Sequence, residues 1–261
     1  MLLRTLGSKG LWTVHKSRLS FARSIQAMRP VRMAAGNECI ESPQPRGAFI
    51  LFEGVDHSGK TTQAKRLAQA LNDRDVNAEF WNFPDRNTGL GKIITSYLSG
   101  TTDCEPDMVH LLFAANRMEK RASLLEKLRS GVTIVMDRYC YSGAAFTMAK
   151  NLPGLDAEWC KSVERGKLPE PDLTYFLDLS VEVAEKRAGF GSERYERREF
   201  QQEVRSAFHN LSKSEDWEFI DGAGDPEEIH EKIFNQSLKF VEECRKKGHD
   251  LGQIWAGKLK Q

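Results

Sequence analysis

At 261 residues, with 40% hydrophobic and 29% charged residues and a net charge of +1, the chain can bury one large core and is too apolar for a disordered or fibrous protein. Charge interrupts every apolar run before the roughly eighteen residues that a membrane span requires, so membrane insertion is not expected. The five cysteines, Cys39, Cys104, Cys140, Cys160 and Cys244, are odd in number and show no C-x-x-C spacing, which argues against a disulfide framework or a zinc site.

Residues 1–37 hold Arg4, Lys9, Lys16, Arg18, Arg23, Arg29 and Arg32 and no Asp or Glu, so the remaining chain carries more acids than bases. A body of that sign does not present a nucleic-acid surface. The basic stretch, with leucines and aromatics set among its charges, has the composition of a mitochondrial transit peptide. The other readings are a basic tail, or an extension bypassed by starting at Met28 or Met33 in the cytosol or nucleus. Residues 38–46, with Pro43 and Pro45, read as a linker, which divides the chain into an extension over 1–46 and a folded domain over 47–261.

The domain opens with the apolar run Phe49–Phe52, a glycine-rich turn and a helical stretch from Thr61 to Leu71, the strand-loop-helix start of an α/β fold. Further strands are expected over Ala78–Phe83, Val132–Met136, Leu173–Leu179 and Trp217–Ile220. Helical patterns cover 90–99, 107–129, 142–150, 181–187, 198–213 and 227–246. Five buried strands with helical crossovers imply a five-stranded parallel sheet with helices on both faces. Asp225-Pro226-Glu227-Glu228 supplies the last helix with a cap, a first-turn proline and early acids.

Gly54-Val55-Asp56-His57-Ser58-Gly59-Lys60-Thr61 matches G-x-x-x-x-G-K-[ST] between a strand and a helix. Glycines allow successive N–H groups to turn inward on phosphates, and the helix adds the positive end of its dipole. Lys60 is placed to reach the β- and γ-phosphates, and Thr61 to ligate Mg²⁺. No N-K-x-D accompanies the loop, so guanine recognition is not indicated; Asp221 to Gly224 reads as a turn. The run 132–136 ends in Asp137-Arg138-Tyr139 and delivers an acid and a base to the C-terminal edge of the sheet, where such folds build their sites. Asp137 is a second candidate for Mg²⁺, and Arg138, Arg86 and Arg117 are candidate phosphate clamps.

Phe52-Glu-Gly-Val-Asp56, Phe83-Pro-Asp-Arg86, His110-Leu-Leu-Phe-Ala-Ala-Asn-Arg117, Asp137-Arg-Tyr139 with Ser142-Gly143, and Glu193-Arg-Tyr-Glu196 occur in the order in which thymidylate kinases carry them, and the chain resembles that family over about residues 47–256. The Leu251–Trp255 ending is similar to the eukaryotic branch. The resemblance implies transfer of the γ-phosphoryl group of Mg-ATP to dTMP, usually by a homodimer. It puts ATP on Gly54, His57, Ser58, Gly59, Lys60, Thr61, Thr62 and Arg187. It puts the sugar hydroxyl of dTMP on Asp56 and its phosphate on Arg86 and Arg138, with Phe83 beside them. Phe113 would stack on thymine and Arg117 bond a carbonyl, Ser142 and Phe146 would line the base pocket, Tyr195 would lie near C2′, and Gln201 would support Asp56 or the lid. A lid over about 187–199, hinged at the glycines of Ala188–Gly191, would close over ATP. The eukaryotic pattern has arginine where this chain has His57, whereas Arg197 and Arg198 stand on the lid, as catalytic arginines do in the bacterial branch. Two alternatives stay open: a kinase of another pyrimidine nucleotide, and a catalytically silent nucleotide-binding protein.

Overall fold

A computed structural model describes residues 45–247 and 250–256, so the expected targeting segment and most of the expected linker lie outside the described residues. Five strands, β1 (Phe49–Glu53), β2 (Ala78–Asn82), β3 (Thr133–Asp137), β4 (Leu173–Asp178) and β5 (Trp217–Asp221), form one sheet in the order β2-β3-β1-β4-β5. Every pairing is parallel. Central β1 is buried at all five residues, as a strand covered on both faces must be.

The pleat of β1 divides the core. Phe49 and Leu51 face one layer with Ile134, Met136 and Phe176, beneath α4 (Arg121–Arg129), α5 (Cys140–Met148) and α8 (Arg198–Ser212). Ile50 and Phe52 face the other with Val135 and Tyr175, beneath α1 (Lys60–Asn72) and α9 (Pro226–Lys247). In α1 the buried positions Gln63, Ala64, Leu67, Ala68 and Leu71 follow helical spacing. A third cluster joins α2 (Gly89–Leu98) and α3 (Pro106–Glu119) through Ile94, Tyr97, Leu98 and Val109 to Tyr195. The Asp225 carboxylate accepts from the N–H groups of Glu227 and Glu228, the cap expected for α9.

Three expectations change. The single helix expected over 107–129 is two, α3 and α4, because the chain turns at Lys120, whose N–H bonds the Arg117 carbonyl three residues back rather than four. A short helix that the pattern did not reveal, α6 (Ala157–Glu164), follows Asp156, whose side chain accepts from the Trp159 N–H. Arg46 belongs to the folded body rather than to a linker: its guanidinium is buried, bidentate on Asp172. One remaining helical turn, α7 (Val181–Ala184), precedes the turn-rich expected lid.

Candidate active site

The C-terminal ends of β1 and β3 lie side by side, Phe52 in register with Asp137, and a cleft of about 530 Å³ opens above them. This is the switch point of the sheet, where the chain runs from β1 to one side and later to the other. Gly54 leaves β1 at φ +148°, and a Cβ there would stand 2.6 Å from the Leu177 carbonyl oxygen, so only glycine fits. Gly59, at φ +102°, starts α1 without a side-chain cap, which leaves the helix's first N–H groups for a ligand. Lys60 is buried, and its ammonium donates to the Val55 carbonyl at 2.5 Å and to Ser58 Oγ at 3.2 Å, inside its own loop. Burial, reinforced by Arg138, pushes its pKa down to about 8.

At the end of β3 the Thr61 hydroxyl donates to Asp137 Oδ2. The other carboxylate oxygen, Oδ1, is buried and has no hydrogen-bond partner. A hydroxyl beside an anionic oxygen with coordination capacity to spare fits a hard cation such as Mg²⁺, which takes one or two protein ligands and completes its shell with phosphate and water. No cluster of three or more His, Cys, Asp or Glu that could cage a metal occurs among the described residues.

Arg138, held at φ 66°, pairs with Asp56 Oδ1 and donates to the Gly54 carbonyl and Ser142 Oγ, with its guanidinium 5.3 Å from the centre of the Phe146 ring. Gln201 donates to Asp56 Oδ2 at 2.6 Å and accepts from the Asp56 N–H at 3.0 Å, so Asp56 is aimed from both sides. Beneath them Glu53, fully buried, accepts from the N–H groups of Tyr139 and Ser142 and from Ser142 Oγ. It caps α5 from another strand, and burial raises its pKa. Arg117 presents Nε and Nη2 to Glu164 at 2.6 and 2.7 Å. Asn116 fixes the Phe83–Arg86 loop by accepting from the Asp85 N–H and donating to the Asp85 carbonyl.

The segment expected as a lid meets the cleft through its acids. Glu193 accepts from Arg86 at 2.7 Å, and Glu196 shares a hydrogen bond of 3.1 Å with His57. Tyr195 turns its hydroxyl to that of Tyr97, 2.9 Å away, and stacks on Phe200. Arg187 donates to the carbonyls of His57 and Gly222 and so ties the lid's root to the phosphate loop.

Of the expected site residues, Asp56, His57, Gly59, Lys60, Thr61, Thr62, Phe83, Arg86, Phe113, Arg117, Asp137, Arg138, Ser142, Phe146, Arg187 and Tyr195 line this one cleft. Gly54, Ser58 and Gln201 do not line it but bond residues that do, Arg138, Lys60 and Asp56 respectively. Neither lid arginine reaches it: Arg197 is exposed just before α8, and Arg198 pairs with Glu182 at 3.0 Å and Glu185 at 3.7 Å. His110 and Lys150 also line the cleft, though neither is a candidate on sequence grounds. His110 opens the motif that ends at Arg117, so periodicity and motif together could have flagged it; Lys150 and Glu164 lie in no motif.

The sequence matches the thymidylate kinase family model over residues 52–233. It is 44% identical to a thymidylate kinase of Arabidopsis thaliana over 90% of this chain and 87% of that protein. It is equally identical to the thymidylate kinase of Homo sapiens over 80% of this chain and 98% of that one. Among solved structures, a thymidylate kinase from Candida albicans superposes with a TM-score of 0.68 at 35% identity, covering 80% of this chain and 98% of its own.

Proposed function

The chain belongs to the thymidylate kinase family and phosphorylates dTMP to dTDP with ATP; from that premise we propose how its residues divide the work. The observation that carries the scheme is the convergence of an uncapped phosphate loop, a carboxylate with an unused oxygen and two arginines on one cleft.

ATP lies along Gly54–Thr62, its β- and γ-phosphates on the N–H groups at the start of α1. Lys60 exchanges its internal acceptors for the γ-phosphoryl oxygens, and Arg187 flanks the nucleotide. Thr61 and Asp137 would hold Mg²⁺, which when bound neutralises charge on the phosphates. On the other side, Arg138 and Arg86 grip the dTMP phosphate, while Asp56, steered by Gln201, accepts from the sugar hydroxyl. Phe113 and Phe146 flank the base, Phe83 and Ser142 complete its pocket, and Arg117 addresses a base carbonyl. Tyr195, which lines the cleft and whose hydroxyl is engaged by Tyr97, would lie near C2′ and exclude a 2′-hydroxyl. Catalysis then consists of alignment and charge neutralisation, with no covalent enzyme intermediate.

A coupled ADP-release assay with dTMP, dUMP, UMP and CMP tests this reading. It requires dTMP to be preferred and dUMP to exceed UMP; equal turnover of the last two overturns the role of Tyr195. The composition of residues 1–46 further supports a mitochondrial form, and a reporter carrying that segment should reach the organelle. Exposed Met108 and Leu111 on α3 and Ile93 on α2 support a homodimer through that face.

A further inference from the structure

We propose that Glu164 is the positioning residue that fixes base selectivity, by locking the Arg117 guanidinium in one orientation toward the acceptor's pyrimidine edge; this rests on the reading above that Arg117 addresses the base. The pair is among the most deeply enclosed in the molecule, with side chains 2% and 0% exposed. It is also bidentate, Nε and Nη2 each donating to one carboxylate oxygen. Glu164 itself does not line the cleft, whereas Arg117 does, so whatever Glu164 contributes to the reaction passes through Arg117.

Three sides of the guanidinium are accounted for. Glu164, the last residue of α6, holds one edge. Gly143 on α5 lies against the plane so closely that a Cβ there would stand 2.6 Å from Nη2 and 3.2 Å from Cζ. The aliphatic stem is fixed by α3, where Arg117 is buried. Nη1 is the nitrogen that Glu164 leaves unengaged, and its donors are directed by a plane that cannot rotate. Two buried charges are a costly way to tie α3 to α6, since apolar residues of the same volume join helices at no desolvation cost. A fixed donor edge gives the charges a purpose that packing alone does not. It accepts a base presenting a carbonyl and meets the amino group of cytosine donor to donor.

The test measures KM for dTMP and for ATP, kcat, and the ratio of kcat/KM for dUMP to that for dCMP, two acceptors that differ at the pyrimidine edge. In Glu164→Gln the KM for dTMP should rise about tenfold and the dUMP-to-dCMP ratio fall about tenfold, with kcat and the KM for ATP within about threefold of the parent. Should the buried uncompensated cation prevent folding, Glu164→Asp keeps the charge, draws the guanidinium back by one methylene and should move the same two quantities in the same directions. Arg117→Met separates the two layers. If it leaves the KM for dTMP unchanged, the base-reading role of Arg117 fails and the proposal falls with it. If it raises that KM while the folded Glu164 variants lower kcat and melting temperature but leave dTMP KM and selectivity untouched, Glu164 is a structural tie and only the positioning role is overturned.

Discussion

His110 shows how a single side chain at this site is tuned by its surroundings. Its ring is buried against Trp159, Nδ1 shares a hydrogen bond with Thr147, and Nε2 has no partner. Burial, aided by the nearby Arg117 cation, lowers its pKa from 6.5 to about 4. Between those values the unfolded chain binds a proton that the folded chain refuses, so stability falls as pH drops through that window. Denaturant titrations from pH 7 to 4 should show His110→Gln losing less stability than the parent, by on the order of 1–3 kcal/mol. Parallel slopes would exclude a neutral buried imidazole. Residues of this kind mark the limit of what the sequence discloses. The phosphate loop was legible because its chemistry is local, each glycine answering to its own φ and Lys60 to its place before Thr61. Glu53 and Glu164 were not, since their value comes from partners 89 and 47 residues away, Ser142 and Arg117, which no short pattern records.

Among the elements, the strands were legible to within a residue or two, because a buried parallel strand is an apolar run with few alternatives. The break at Lys120 was not, for it has neither glycine nor proline and depends on one tightened turn, while its ammonium reaches Asp85 at 2.8 Å. The contacts of the segment expected as a lid were not legible either. Its residues 193–196 are pinned to three places: Arg86 by Glu193, His57 by Glu196, and the end of α2 by Arg194, which donates to the Tyr97 carbonyl. Of the two arginines in the expected lid, Arg198 is held on α7 by Glu182, which leaves Arg197 as the better candidate to reach the phosphates if that segment closes. As an arginine finger it would be worth at least about tenfold in kcat, or roughly 1.4 kcal/mol, and Arg197→Ala should lose that much while Arg198→Ala stays near the parent. If both variants keep full kcat, the arginine that the eukaryotic pattern carries at position 57 is not replaced from the expected lid.

For the whole molecule, the proposed homodimer rests on apolar side chains exposed on α2 and α3. Met108 and Leu111 lie three residues apart on one side of α3, 53% and 45% exposed. Sedimentation of the parent should give twice the chain mass, and Met108→Glu with Leu111→Glu should give the single mass; a monomeric parent would refute the dimer. The same breadth of view applies to charge. Arg138 faces Asp56, and Arg86 faces Glu193. Each of these arginines is a berth shared with a carboxylate, so the cleft projects a muted field rather than that of a bare cationic well. On the proposed scheme, capture of the dTMP phosphate would trade partners: Arg138 would leave Asp56 to the sugar, and Arg86 would leave Glu193 together with the strip of chain that carries it. Arrival should thus be governed by how fast those berths empty, and the association rate for dTMP should decline only gently as salt is added.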